Sequence, residues 1–155
     1  MGTPEFAVPS LCSLATSTHK IAAVVTQPDR PRGRSKTPCP SPVKEKAQAL
    51  GLKILQPVNI NDEPVVKQLQ CLSPDCIVNI HASLLPKFRG AAPINWAIIQ
   101  GETVTGVTAV VMTAKMDAGD IIAQKTTPIS PDENAGEVGK RLSAMGAELL
   151  IGALH

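Results

Sequence analysis

Two periods of apolar and polar positions alternate along this chain. Short runs rich in Val, Ile and Leu at 21–27 (IAAVVTQ), 52–55 (LKIL), 76–83 (CIVNIHAS), 107–114 (VTAVVMTA) and 121–129 (IIAQKTTPI) read as strands. Segments between and beyond them, with apolar residues three or four apart, read as helices. The first predicted helix spans about 9–17, with Leu11, Leu14 and Ala15 on one face. The second has Ser41 as N-cap and Pro42 in its first turn, and runs through Lys46, Ala47 and Leu50 to a stop at Gly51. Asn61 and Asp62 open a third, carrying Val65, Val66 and Leu69, and a fourth covers about 93–100. The last begins with a capping-box pattern, Asn134 and Glu137, and carries Val138, Leu142, Met145, Leu149 and Leu150.

Strands and helices alternating in this order imply βαβ units, so the predicted fold class is α/β with a mainly parallel sheet. Two places disturb the pattern. The chain starts at a Gly2-Thr3-Pro4 turn where such a domain normally has a buried strand. At Val78 and Asn79 one apolar run has to serve both as the end of one strand and as the start of another. Neighbouring parallel strands need a crossover of roughly a dozen residues, so a segment is expected to be missing at that join.

Composition narrows the classes. With 155 residues, 43% apolar and 18% charged, the chain suits one globular domain, and no stretch is apolar enough to span a membrane. No basic-then-apolar leader begins it, so a cytoplasmic location is expected. Cys12, Cys39, Cys71 and Cys76 match no zinc spacing and read as reduced structural thiols, with no metal. The net charge of +2 hides an asymmetry. Basic residues crowd between Arg30 and Lys46, where Glu45 is the one acid, so the remainder is net acidic. The stretch 28–42 holds five prolines and one glycine, which predicts an irregular exposed basic loop. Phe6, Phe88 and Trp96 are the only aromatics. A surface that stacks single-stranded bases is thereby disfavoured, and a nucleic acid would be held through its phosphates.

The chemistry concentrates at the end of the 76–83 run. Asn79 and His81, two apart in a strand, point to one face, and the carboxyl end of a parallel strand opens on the crevice where such sheets bind ligands. A lone histidine satisfied inside a core would have the same spacing. The loop after it, SLLP then KFRG, has Pro86 and Gly90 to shape its backbone. Asp117 sits in the KMDAGD turn between the last two strands, where a carboxylate can reach across the sheet end, although an ordinary turn residue would look the same. His handles protons near neutrality and Asp orients it or takes its proton. Ser83 lies outside any GxSxG elbow, so an acyl-serine route is disfavoured. An Asn amide suits donation to an oxygen gaining charge during acyl transfer. Together Asn79, His81 and Asp117 fit direct attack of an amine on a carbonyl.

The stretches MGTPEFAVPSL, VVTQPDRPRGR, PSPVK, NIHASLLPKFRGAAPINWAI, TGVT, MDAGDII and GAELL, in that order, resemble the catalytic domain of the methionyl-tRNA formyltransferases. The resemblance covers nearly all of residues 1–155. Asn-x-His-x-Ser-Leu-Leu-Pro is shared among folate-dependent formyltransferases, while QPDRP and PSPVK point to the tRNA enzymes. It implies a Rossmann-like formyltransferase fold, a mainly parallel open sheet with helices on both faces. It also implies a cytoplasmic monomer that moves a formyl group from 10-formyltetrahydrofolate to the amino group of initiator methionyl-tRNA, for translation initiation. By motif, Asn79 and His81 would polarise the formyl oxygen, Asp117 would hold the His and help take protons, and Ser83, Leu84, Leu85 and Pro86 would line the folate site. Arg30, Arg32, Arg34 and Lys36 match the family's loop that approaches the tRNA acceptor end, a solvated charged loop being the alternative, and no metal or membrane is implied. Against the family, a first strand, a segment near 78/79 and a C-terminal tRNA-binding barrel are expected to be absent, and His155 reads as the start of a tag. Two other readings remain: a folate- or tRNA-binding fragment without chemistry, and a related formyltransferase acting on another amine, such as that of a nucleotide sugar.

Overall fold

The computed structural model describes residues 1–31, 37–75, 77–113 and 115–154. Three of the expected tRNA contacts, Arg32, Arg34 and Lys36, lie outside the described residues, as do Cys76 and His155. The chain divides into two units, Met1–Asp75 and Cys76–His155.

In the first unit a 3-10 turn at Glu5–Ala7 leads into α1 (Val8–Thr16). There follow β1 (Val24–Val25), β2 (Arg30–Pro31), β3 (Pro38–Cys39), α2 (Pro42–Ala49), β4 (Ile54–Leu55) and α3 (Glu63–Gln70). Leu11 of α1, Val24 of β1 and Val43 and Ala47 of α2 form the core, with Ile21, Leu52 and Ile54 packed around them. β1 and β4 pair in parallel, Val24 opposite Ile54 and Val25 opposite Leu55, across the connection that contains α2. That is the βαβ crossover implied by the alternating pattern. Ser41 caps α2 as expected, its Oγ accepting from Lys44 N at 3.1 Å, and Gly51 follows the C-cap Leu50. The N-terminal turn is tied to the end of β1: Gly2 N donates to Val25 O at 3.0 Å, and Gln27 N to Thr3 Oγ1 at 3.3 Å.

Two expectations need correction here. Of the strand expected at 21–27, only Val24 and Val25 pair regularly. The proline-rich stretch contains regular pairing after all, with β2 and β3 antiparallel, Arg30 opposite Cys39 and Pro31 opposite Pro38. A ladder of two residues with no further neighbour asks for few N–H donors, which is where proline is tolerated in sheets.

The second unit holds β5 (Val78–His81), α4 (Pro93–Ile99), β6 (Val104–Val111), β7 (Ile121–Pro128) and α5 (Ala135–Ala153). Its sheet has the order β5-β6-β7 with both pairings antiparallel, so parallel pairing among the described strands is narrower than expected and belongs to the first unit. The connection between β6 and β7, residues 112–120, is too short for a crossover, which forces the antiparallel hairpin. Val78 and Asn79 are consecutive residues of one strand, and the Ile77 carbonyl extends its pairing by accepting from Met112 N at 2.9 Å.

α5 starts with the expected capping box. Asn134 Oδ1 accepts from Gly136 N and Glu137 N at 2.9 and 3.1 Å, and Glu137 Oε2 accepts from Asn134 N at 2.9 Å. Its buried stripe is Val138, Leu142, Ser143, Gly146 and Ala147, whereas Met145, Leu149 and Leu150 are half-buried. Gly146 lets the helix lie close on the sheet, because a Cβ there would meet Ile80. Among the described residues no helix is long and apolar enough to cross a membrane, and Cys12, Cys39 and Cys71 are free thiols.

Candidate active site

β5 positions the first two candidate groups. Asn79 lies opposite Val110 of β6 and His81 opposite Thr108, and partners in an antiparallel ladder share a face. Asn79 and His81 therefore look out from one side of the sheet, as the period-two spacing predicts. The third group comes from the hairpin connection. Asp117 has φ +47, a left-handed conformation that Asp tolerates better than most residues. Gly119 makes the return to β7 possible, because a Cβ there would overlap the Val111 carbonyl oxygen. A register shift between Ala109 and Val110 adds one residue on β7 beside this turn, the kind of bulge that re-aims a strand end.

These devices bring all three together. Asn79 Nδ2 donates to Asp117 Oδ1 at 3.2 Å, and His81 Nδ1 lies 3.6 Å from Asp117 Oδ2. The second distance is too long for a good hydrogen bond and leaves the carboxylate facing the imidazole edge. Gly90 N donates to Asp117 Oδ2 at 2.9 Å, so the carboxylate also gathers in the loop that follows β5. The His81 and Asp117 side chains are only 8% and 10% exposed, so water screens their interaction little. His81 Nε2 donates to the Phe88 carbonyl at 2.8 Å. Phe88 has φ +54, a strained value for a bulky side chain that costs about 1–3 kcal/mol and persists only where the surroundings hold it. Asn79 keeps one amide N–H beyond the bond to Asp117.

A cavity of about 260 Å³ adjoins the cluster, its lining including Asn79, Asp117, Thr113, Val110, Met112 and Met116. The four residues expected to line a folate site separate. Ser83 is fully buried, its Oγ donating to Lys87 O at 2.6 Å, and Leu85 is buried, whereas Pro86 is exposed. Leu84 faces a second cavity of about 290 Å³ with Phe88 and the Lys87–Glu102 ion pair. None of the four lines the cavity beside Asn79.

Several residues that hold this arrangement belong to no motif in the sequence. Thr108 and Gln124 hold the turn at 83–87, and Phe88 and Gly90 act through backbone atoms. Thr108 carried a faint signal, a polar side chain inside an apolar run, but Thr is also a common strand residue. In the first unit Arg30 is exposed at the base of the basic loop. Beside it, Lys44 first and then the Gln56 amide hold the Asp29 carboxyl below its usual range, with Lys44 Nζ 2.6 Å from Oδ2. Among the described residues there is no cluster of three potential metal ligands.

Residues 75–154 match the formyl transferase family. The chain is 46% identical to methionyl-tRNA formyltransferase of Moorella thermoacetica and 47% identical to that of Syntrophus aciditrophicus, each over the whole chain and over 57% and 56% of the relative. It thus spans a little over half the length of these relatives. The alignments run over 176 residues, 21 more than the chain's 155. Among solved structures, phosphoribosylglycinamide formyltransferase of Streptococcus pneumoniae TIGR4 superposes with a TM-score of 0.79 at 20% identity, covering 98% of this chain and 93% of that one. The Bacillus halodurans counterpart has a TM-score of 0.73 at 23% identity, over 96% and 86%. Such identities establish the fold alone, a Rossmann-like α/β formyltransferase fold. By its matched residues and its fold, this chain belongs to the formyl transferase family.

Proposed function

We propose that residues 1–155 form the catalytic domain of a methionyl-tRNA formyltransferase, which moves the formyl group of 10-formyltetrahydrofolate to the amino group of methionine on initiator tRNA. The observation that carries this reading is the convergence of Asn79, His81 and Asp117 on one sheet end, where the hydroxyl that shares their cavity among the described residues, Thr113, donates to Lys115 O at 3.0 Å and has no base to activate it. Ser83, the nearest hydroxyl in sequence, is buried and already donates to Lys87 O. Transfer is then direct. The amine nitrogen attacks the formyl carbon, a C–N bond forms, and the carbonyl pair moves onto oxygen. The free N–H of Asn79 donates to that oxygen, and the His81 imidazole, held in place by the Phe88 carbonyl, polarises it. Asp117 takes the proton released from the attacking nitrogen. That proton passes on to the folate nitrogen as its bond to the formyl carbon breaks and the carbonyl re-forms.

The 260 Å³ cavity is below the range that buries a whole drug-sized ligand, so it receives only part of the folate, the flat ring, against Val110, Met112 and Met116. Ser83 and Leu85 contribute by shaping the loop, while Leu84 and Pro86 keep side chains at its surface. Arg30, Arg32, Arg34 and Lys36 approach phosphates at the acceptor end, which fixes position without reading sequence. On this reading the enzyme is a cytoplasmic monomer, and the 21 positions by which the alignments exceed its length fall near Val78 and Asn79.

His81→Ala tests the reading. Formylation of methionyl-tRNA is expected to fall at least about a hundredfold, with folate binding kept within about twofold. Unchanged turnover would overturn the site. No turnover in the unsubstituted chain, with folate bound, would favour a binding fragment. Formylation of a nucleotide-sugar amine with methionyl-tRNA inert would move the substrate to the other class.

A further inference from the structure

His81, Thr108 and Gln124 form one row across the second unit's sheet, since Thr108 is the ladder partner of both. All three share a face, and the turn that leaves β5 folds back over this row. Thr108 is fully buried, and its hydroxyl uses its whole capacity. It donates to Ser83 O at 2.7 Å and accepts from Leu85 N at 3.1 Å and Gln124 Nε2 at 2.9 Å. The Gln124 amide also donates to Leu85 O at 2.9 Å. Downstream, Lys87 N donates to Leu84 O at 3.0 Å and the Ser83 hydroxyl donates to Lys87 O. The next residue is Phe88, whose strained backbone offers the carbonyl that holds His81 Nε2. The segment thus leaves the sheet at His81, is pinned halfway by Thr108 and Gln124, and returns to the His81 ring.

We infer that Thr108 and Gln124 are positioning residues of the transfer reaction: they hold the turn at 83–87 so that the Phe88 carbonyl fixes the His81 imidazole. Neither lines the cavity beside Asn79, and Thr108 is buried beneath the turn. The nearby Lys87–Glu102 pair has an exposed lysine, and such pairs hold little in water. The buried hydroxyl has no water to replace it. This inference rests on the formyl-transfer reading for its kinetic arm only.

The test uses the full chain labelled with ¹⁵N-histidine, which contains only three histidines, His19, His81 and His155. Thr108→Val keeps the side-chain shape and removes the hydroxyl, Thr108→Ser restores it, and Gln124→Met removes the amide at an exposed position. In the unsubstituted chain and in Thr108→Ser, His81 is expected to show a protected Nε2–H resonance. In Thr108→Val and Gln124→Met that resonance broadens or shifts to exchange-averaged values, and kcat falls about tenfold to a hundredfold while KM for the folate stays within about threefold. If Thr108→Val does not fold, Gln124→Met decides alone. A His81 resonance and kcat unchanged in the folded variants would overturn the inference. If the unsubstituted chain transfers no formyl group, the functional reading fails, and the imidazole spectra still decide whether the two residues position His81.

Discussion

At the scale of single residues the site combines groups whose spacing was legible with contacts that no spacing reveals. Asn79 and His81 could be read as a pair because strand side chains alternate, and the ladder places both on one face. Asp117 was legible as a carboxylate in a small-residue turn. Its bond to Gly90 N joins residues 27 apart, and nothing local announces that. The same holds for the Phe88 carbonyl, a backbone atom whose role comes only from a fold-dependent φ. Asp117→Asn keeps an acceptor for Asn79 or Gly90 but removes the charge beside His81. Stability is expected to fall by about 1–3 kcal/mol, because one of the two donors then faces an NH2 group, and kcat to fall about 10²- to 10⁴-fold. A kcat within a factor of two would remove Asp117 from the mechanism. Denaturant titration alongside the kinetics separates that outcome from misfolding.

Helix ends were the best-read elements, because capping depends on residues adjacent in sequence. Ser41 and the Asn134–Glu137 box both cap as expected. Strand lengths were read less well, since pairing is decided by distant partners: the apolar run at 21–27 yields two paired residues, while β6 begins at Val104, ahead of the expected 107. Where β7 leads into α5, Arg141 reaches Glu133 and also donates from Nη2 to Pro128 O at 2.7 Å. The Arg141 guanidinium, and then the Ser130 N–H, lower the Glu133 carboxyl to about 2 from its ordinary 4.5. A depressed folded value means the pair stabilises fully above about pH 4.5 and loses that contribution as pH falls towards about 2. Glu133→Gln removes this linkage. Its urea midpoint should therefore fall less steeply than the parent's across that window. Parallel slopes would show that the pair contributes nothing to stability.

For the whole molecule, the net charge of +2 matters less than its distribution. The basic residues gathered between Arg30 and Lys46 make one stretch suited to phosphate, in a chain whose remainder is net acidic. Arg32→Ala with Arg34→Ala is expected to weaken binding of initiator tRNA and to lower the slope of log K against log salt by up to about 2, near one unit per lost phosphate contact. An unchanged slope would show that these arginines do not meet the phosphates. The α/β class was legible from the alternation of periods, and the parallel pair β1–β4 follows from it. The antiparallel sheet of the second unit was harder to foresee, because strand order depends on long-range pairing; only the short 112–120 connection hinted at it. On the proposed reading this chain moves a formyl group directly to an amine through Asn79, His81 and Asp117. A single-turnover experiment tests it most directly, mixing the chain with 10-formyltetrahydrofolate labelled at the formyl carbon and initiator methionyl-tRNA. Label should appear on the methionyl amino group, with no labelled protein intermediate and almost none in His81→Ala. Folate and tRNA both bound with no label transferred, or label trapped on the protein, would contradict it.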